Sequence, residues 1–268
     1  MSTYTYVGIE TEYELYQGQD GVNFADLWRG LAKKYQKPHF KFSDTCYRTM
    51  QGSSFYCDQQ EPEAVSAPVL VSRGFASKAV DALYLARKEL VDFISSDLAL
   101  NLIGYSMHYN IGATSNTPQE VMRRFAVPYS LFVLNHLSCG INLRLKGNSH
   151  GLTDRYELLG DYMEDKHQIK SFLLFYAATI LNEKQCSRSY PLSLSQEYGT
   201  GPKYNNLVPD GRYSMITVTI LQSNRWIEKK ISAQTYLQYT YEWMKPAINQ
   251  LGTRSERKTL EDFVYGRR

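Results

Sequence analysis

The sequence predicts an α+β fold in which antiparallel strands lie on one side and helices pack on the other. Three observations point there. Short runs alternate apolar and polar residues with period two, as half-buried strands do. Longer runs carry apolar residues at helical spacing. The two kinds mix without a regular βαβ rhythm, which disfavours a parallel sheet. At 268 residues the chain is long enough for one large domain. No internal repeat, low-complexity tract or linker divides it, so residues 1–268 are read as a single domain.

The elements follow in order. Tyr6 to Leu15 alternates cleanly: Val7, Ile9, Thr11, Tyr13 and Leu15 face one way, and Glu10, Glu12 and Glu14 the other. Gln17 to Val22 is turn-like, and Asn23 can cap a helix bearing Phe24, Leu27, Trp28 and Leu31, ended by Pro38. Short strands are expected at His39–Phe42, Tyr47–Met50 and Phe55–Cys57, with Gly52-Ser53 as a hairpin turn. Another is expected at Glu63–Val71, where Pro62 and Pro68 favour an edge or a strand end. Ser77–Ile94 keeps strong helical spacing, and Leu102–Ile111 reads as a strand.

Thr117-Pro118-Gln119-Glu120 opens a further helix, which Pro128 would kink or divide. Strands are expected at Ile141–Leu145 and Arg155–Leu159, then a helix from Asp165 to Lys184. Ser187–Arg212 is loop-rich, and its length marks residues 187–212 as a candidate substrate loop or lid. Ser214–Leu221 reads as a strand, Ser232–Leu251 as a helix kinked at Pro246, and Ser255–Tyr265 as a closing helix.

Composition excludes several classes. The formal charge of +3 gives no electrostatic case for nucleic acid or an anionic membrane as the main partner. Four cysteines without a C-x-x-C pair argue against a zinc site or a disulfide framework. No apolar run approaches the ~18 residues that span a bilayer, and no signal peptide is evident. A reduced, cytoplasmic protein is the expectation. Tyrosine is abundant, at 22 residues, which suits many half-buried positions with a polar tip.

Four polar groups lie on or beside expected strands. Glu10, Glu12 and Glu14 share one face, neighbours about 6.7 Å apart from two strand rises. Glu61 and Glu63 share a face in Glu61-Pro62-Glu63-Ala64-Val65-Ser66-Ala67-Pro68. Ser106, His108 and Asn110 share another, and Arg155 and Glu157 form an i, i+2 pair. Carboxylates and one histidine, without thiolates, suit hard divalent cations such as Mg²⁺ or Mn²⁺. Arginine suits phosphate through its planar fork. Each group alone also fits a solvated strand face or an ordinary ion pair. The phosphate loops G-x-x-x-x-G-K-[ST] and G-x-G-x-x-G are absent, as is the G-x-S-x-G elbow.

The order of the four groups resembles the carboxylate-amine ligase branch of the glutamine synthetase superfamily, which includes glutamate-cysteine ligases, small amidoligases and the Pup ligase and deamidase enzymes. Gly8-Ile9-Glu10-Thr11-Glu12 is similar to its G-[IV]-E-x-E strand, and Glu63-Ala64-Val65-Ser66-Ala67-Pro68 to E-x-x-[ST]-x-P. His108-Tyr109-Asn110 is similar to its H-x-H or H-x-N strand, and Arg155-Tyr156-Glu157 to R-x-E, with Asp161 shortly after. The resemblance spans Tyr6 to Asp161.

The resemblance implies a curved antiparallel sheet whose concave face holds ATP and Mg²⁺, with helices on the convex face. It implies Glu10, Glu12, Glu63, His108 and Glu157 as metal ligands, and Arg155 as a phosphate contact. Arg155 and Glu63 are then the candidate catalytic residues. Asn110 could hydrogen-bond ATP, and Arg144, Lys41 and Arg48, on neighbouring expected strands, could supply further phosphate contacts. The implied activity joins a carboxylate (of an amino acid, peptide or protein side chain) to an amine through an acyl phosphate made at the expense of ATP. The pattern departs from the family at Leu159, where an arginine is frequent, and at Asn110, where a second histidine is frequent. Two alternatives stay open: an amide hydrolase on the same scaffold, and a non-catalytic nucleotide-binding or regulatory protein, which those two departures favour.

Overall fold

The computed structural model describes residues 5–35, 46–95, 100–112, 119–133, 142–146, 155–182, 192–194 and 213–267. Its strands are β1 (Tyr6–Gln17), β2 (Asp20–Gly21), β3 (Cys46–Arg48), β4 (Ser54–Asp58), β5 (Glu61–Val65), β6 (Val69–Leu70), β7 (Leu100–Gly112), β8 (Asn142–Lys146), β9 (Arg155–Asp161), β10 (Leu192–Leu194), β11 (Met215–Gln222) and β12 (Arg225–Ser232). Its helices are α1 (Phe24–Tyr35), α2 (Phe75–Ser95), α3 (Gln119–Val133), α4 (Lys166–Leu181), α5 (Ala233–Leu251) and α6 (Arg254–Val264).

The main sheet runs β3-β4-β5-β1-β7-β9-β8, with β2 and β6 also paired to β1, and every pairing is antiparallel. The first strand pattern of the sequence is therefore its centre. Val7, Ile9, Thr11, Tyr13 and Leu15 are buried as alternation requires. Val7, Ile9, Tyr13 and Leu15 pack with α2, α4 and their neighbours in two apolar clusters on one side of the sheet. The other side carries the polar residues. This is the expected α+β arrangement of antiparallel sheet and helices.

Local chemistry explains most element ends. Asn23 Oδ1 accepts from Ala25 N at 2.9 Å and starts α1. Asp165 caps α4 by accepting from the amides of His167 and Gln168. Gly52, at φ 90°, turns the β3–β4 hairpin. Thr253 and Glu256 form a capping box at α6, and Glu256 Oε1 also accepts from the amide and hydroxyl of Ser77, both at 2.8 Å. One carboxylate thus caps the first turns of both α6 and α2.

Several expectations shift. Glu63–Val71 divides into β5 and β6 at Ser66–Pro68, where the Ser66 hydroxyl accepts from the Ile9 amide at 3.0 Å. β5 is an interior strand, between β4 and β1. Pro62 is tolerated because pairing with β1 ends at Glu63, so its missing N–H removes no bond to β1. α3 continues past Pro128 without dividing there, and α5 includes Pro246 within its span. A second sheet, β10-β11-β12, was not anticipated beyond its middle strand. Its strand β10 falls inside the expected 187–212 loop, and the other residues of that segment lie outside the described residues. So does the expected His39–Phe42 strand with Lys41.

Candidate functional site

Register brings the polar groups together. Glu10 pairs across to His108 in β7, Gly8 to Asn110, and Glu12 to Ser106. On the other flank Glu12 pairs with Glu63. Beyond β7, Asn110 pairs with Glu157 and Gly112 with Arg155, and Glu157 pairs with Arg144. Residues directly opposite in a ladder share a face. Glu10, Glu12, Glu63, His108, Asn110, Arg144, Arg155 and Glu157 therefore stand on one surface, contributed by five strands.

His108 is the hub. Its Nδ1 lies 3.2 Å from Glu10 Oε2 and its Nε2 lies 3.3 Å from Glu12 Oε1. One oxygen each of Glu10 and Glu157 and one ring nitrogen of His108 lie within 4.8 Å of one another. At that separation two carboxylates repel by about 3.5 kcal/mol at an effective dielectric near 20. Glu157 is fully buried, so water does little to relieve this. Two half-exposed arginines offset part of it: Arg144 approaches Glu157 at 3.7 Å, and Arg155 approaches Glu10 at 3.9 Å. Arg155 thus pairs across the sheet rather than with Glu157 two residues away. Two carboxylates and an imidazole on rigid strands match the donors a hard divalent cation takes.

Two cavities meet over this face. One, of about 560 Å³, is lined by Tyr6, Gly8, Ser54, Asn110, Arg48 and Arg155 among others. The second, of about 550 Å³, is lined by Glu10, Tyr56, Cys57, Asp58, Glu63, Val65 and Arg155. Glu10, Tyr56, Val65 and Arg155 border both. Each volume falls in the roughly 300–1,000 Å³ range of small-molecule sites. The floor of the first is open: a Cβ on Gly8 would meet no atom within 4 Å. Beside it the Asn110 amide is 7% exposed, and neither its oxygen nor its nitrogen has a hydrogen-bond partner among the described residues. A buried amide left this way costs free energy unless a ligand completes it.

Sequence reasoning missed part of the face. The β1–β7 register shifts between Glu12 and Tyr13, leaving Tyr105 as an extra residue. This bulge turns Tyr105 onto the polar face, where its hydroxyl donates to Glu61. Burial, then the Glu61 and Glu12 carboxylates, push the Tyr105 phenol well above its usual range. Tyr56 is raised to about 12, chiefly by burial, then by Cys46 and Glu63. Strict alternation assigns Tyr105 to the opposite face, so only the bulge reveals it. Glu14 lies at the exposed end and accepts from Tyr16 Oη at 2.7 Å, apart from the cluster.

A crystal structure of the complex between the prokaryotic ubiquitin-like protein Pup and its ligase PafA matches 99% of this chain with a TM-score of 0.60 at 14% identity. The fold is similar to that of the Pup ligase PafA. A structure of the Pup ligase PafA in complex with ADP also matches, over 91% of this chain, with a TM-score of 0.51 at 12% identity. This chain spans 63% and 62% of those two chains, a little under two thirds of each. No protein-family model matches the sequence, and no curated protein matches it. The Pup-ligase-like fold agrees with the sheet and helix layers expected of a glutamine synthetase-like catalytic domain. Among the described residues no helix is long and apolar enough to cross a membrane.

Proposed function

We propose that this chain is an ATP- and Mg²⁺-dependent ligase that forms an amide between a carboxylate substrate and an amine. The observation that carries the reading is the convergence of Glu10, His108 and Glu157 within 4.8 Å, beside a cavity with an open glycine floor and a buried amide that has no hydrogen-bond partner among the described residues. The Pup-ligase fold supports it, since a structure of that protein holds ADP.

In this reading Glu10, His108 and Glu157 hold one cation, and Glu12 and Glu63, opposite each other on β1 and β5, extend the ligand set. Mg²⁺, or Mn²⁺, supplies charge neutralisation of phosphate oxygens. Gly8 leaves room for the nucleotide and Asn110 hydrogen-bonds it. Arg155, which borders both cavities, stabilises charge on the transferred phosphoryl group. Arg48 borders the first cavity and Arg144 flanks Glu157, both as further phosphate contacts. An oxygen of the substrate carboxylate attacks the γ-phosphorus and the bond to ADP breaks. The amine nitrogen then attacks the acyl carbon, loses a proton and expels phosphate. The carboxylate donor is an amino acid, a peptide or a protein side chain.

Isothermal titration with ATP, in Mg²⁺ and in chelator, tests the reading. Binding that needs the metal is expected, and folded protein showing no metal-dependent binding would overturn it. ADP accumulating in step with amide product separates a ligase from a hydrolase on the same scaffold.

A further inference from the structure

The second sheet ends in a strand whose exposure is unusual. In β12, Arg225, Trp226, Ile227, Glu228, Lys229 and Lys230 are all exposed, so neither face of this stretch is covered. Among the described strands β12 has one neighbour, β11, and its other edge is open. The inner end of the hairpin is anchored by Ile216, Val218 and Ile231 in the main apolar cluster. The outer end turns at Ser223 and Asn224, at φ 50° and 60°. There Leu221 pairs with Trp226 across the ladder, and both are exposed, at 42% and 56%.

An open strand edge offers unpaired backbone N–H and C=O groups and is a template for another strand. Lysines on an edge discourage self-pairing, and two copies would oppose clusters of three cations that only one glutamate offsets. Edge protection alone does not account for Trp226, Leu221 and Ile227 standing in water on the same ribbon. Cations on both faces, Lys230 on one and Arg225 and Lys229 on the other, surround those apolar side chains. Among the described residues none of the three forms an ion pair. We infer that the β12 edge docks an extended, acidic polypeptide segment, which adds as a fourth strand with carboxylates towards Arg225, Lys229 and Lys230 and apolar side chains over Trp226 and Ile227. This inference does not rest on the proposed catalytic activity.

Fluorescence anisotropy with a labelled heptapeptide, Glu-Glu-Val-Tyr-Val-Glu-Glu, tests it on the full chain. Saturable binding that weakens with salt is expected. The double variant Lys229→Glu/Lys230→Glu, both exposed positions, should bind at least tenfold more weakly while keeping the circular dichroism spectrum of the parent. Proline in place of the peptide's central tyrosine should also abolish binding, since it removes a ladder donor. No binding up to millimolar peptide, equal binding of a lysine-for-glutamate peptide, or unchanged binding by the double variant would overturn the inference. So would dimerisation through β12 in light scattering, because the edge would then serve a second copy.

Discussion

Gly8→Val separates the nucleotide site from the stability of the strand that carries it. Gly8 lies in the central strand, with an ordinary extended backbone and open space where a side chain would go. A β-branched residue suits that backbone, and glycine inside a strand costs roughly 0.5–1 kcal/mol relative to alanine. The variant should therefore match the parent or exceed it by up to about 1 kcal/mol, a Tm gain of about 4 °C at most. Its new methyl groups would fill the floor of the first cavity beside Asn110. Ligand at a hundred times its Kd stabilises a protein by about 2.7 kcal/mol, or about 5–11 °C here. Differential scanning fluorimetry should show that shift for the parent with Mg²⁺ and ATP, and none for the variant at the same ligand concentration. A variant that is at least as stable yet keeps the full shift would refute the placement of the nucleotide over Gly8. A variant that melts several degrees lower would refute the claim that the space above Gly8 is open.

Other residues give independent tests. Glu157→Gln removes one of the three metal donors, so metal-dependent ATP binding by calorimetry should weaken at least a hundredfold, about 2.7 kcal/mol. Asn110→Ala deletes an amide that lacks partners among the described residues. It should leave stability equal or higher and weaken ATP binding about tenfold, for one or two lost hydrogen bonds. Gly104→Ala would put a Cβ 2.2 Å from the Tyr162 ring, and chemical denaturation should show a loss of about 1–3 kcal/mol from that overpacking. Glu256 is raised by burial but lowered further by the hydrogen bonds from Thr253 and Ser77, so its carboxyl titrates below the usual value of 4.5. A depressed folded-state pKa adds stability that is complete above the unfolded value and lost as pH falls through the folded one. Glu256→Gln should thus lower stability at neutral pH, and the gap to the parent should close in denaturation curves as pH falls below the usual carboxylate value.

Much of the fold was legible because one face of the main sheet enters the core. Burial of Val7, Ile9, Thr11, Tyr13 and Leu15 enforces period two, and period two assigns Glu10 and Glu12 to the opposite face. The same logic placed His108 with Asn110 and Arg155 with Glu157. What alternation cannot give is register between strands. That Glu10 meets His108, and that Arg155 reaches Glu10 rather than Glu157, depends on pairings far apart in sequence. The bulge at Tyr105 breaks the periodicity that reading relies on. β12 was missed because Arg225 to Lys230 is exposed on both faces and shows no alternation of burial. Pro62 pointed to an edge or a strand end; the strand end holds, but β5 is interior, since the residues that pair with β1 begin just after it.

The central claim is that Glu10, His108 and Glu157 hold a divalent cation against the phosphates of ATP. A crystal grown with Mn²⁺ and a non-hydrolysable ATP analogue, measured at a wavelength where manganese scatters anomalously, tests it most directly. The account predicts an anomalous peak bonded to one oxygen each of Glu10 and Glu157 and one ring nitrogen of His108, with the analogue's phosphates on the ion and its nucleoside over Gly8. An analogue bound elsewhere, or a nucleotide over Gly8 with no manganese among those three side chains, would contradict it.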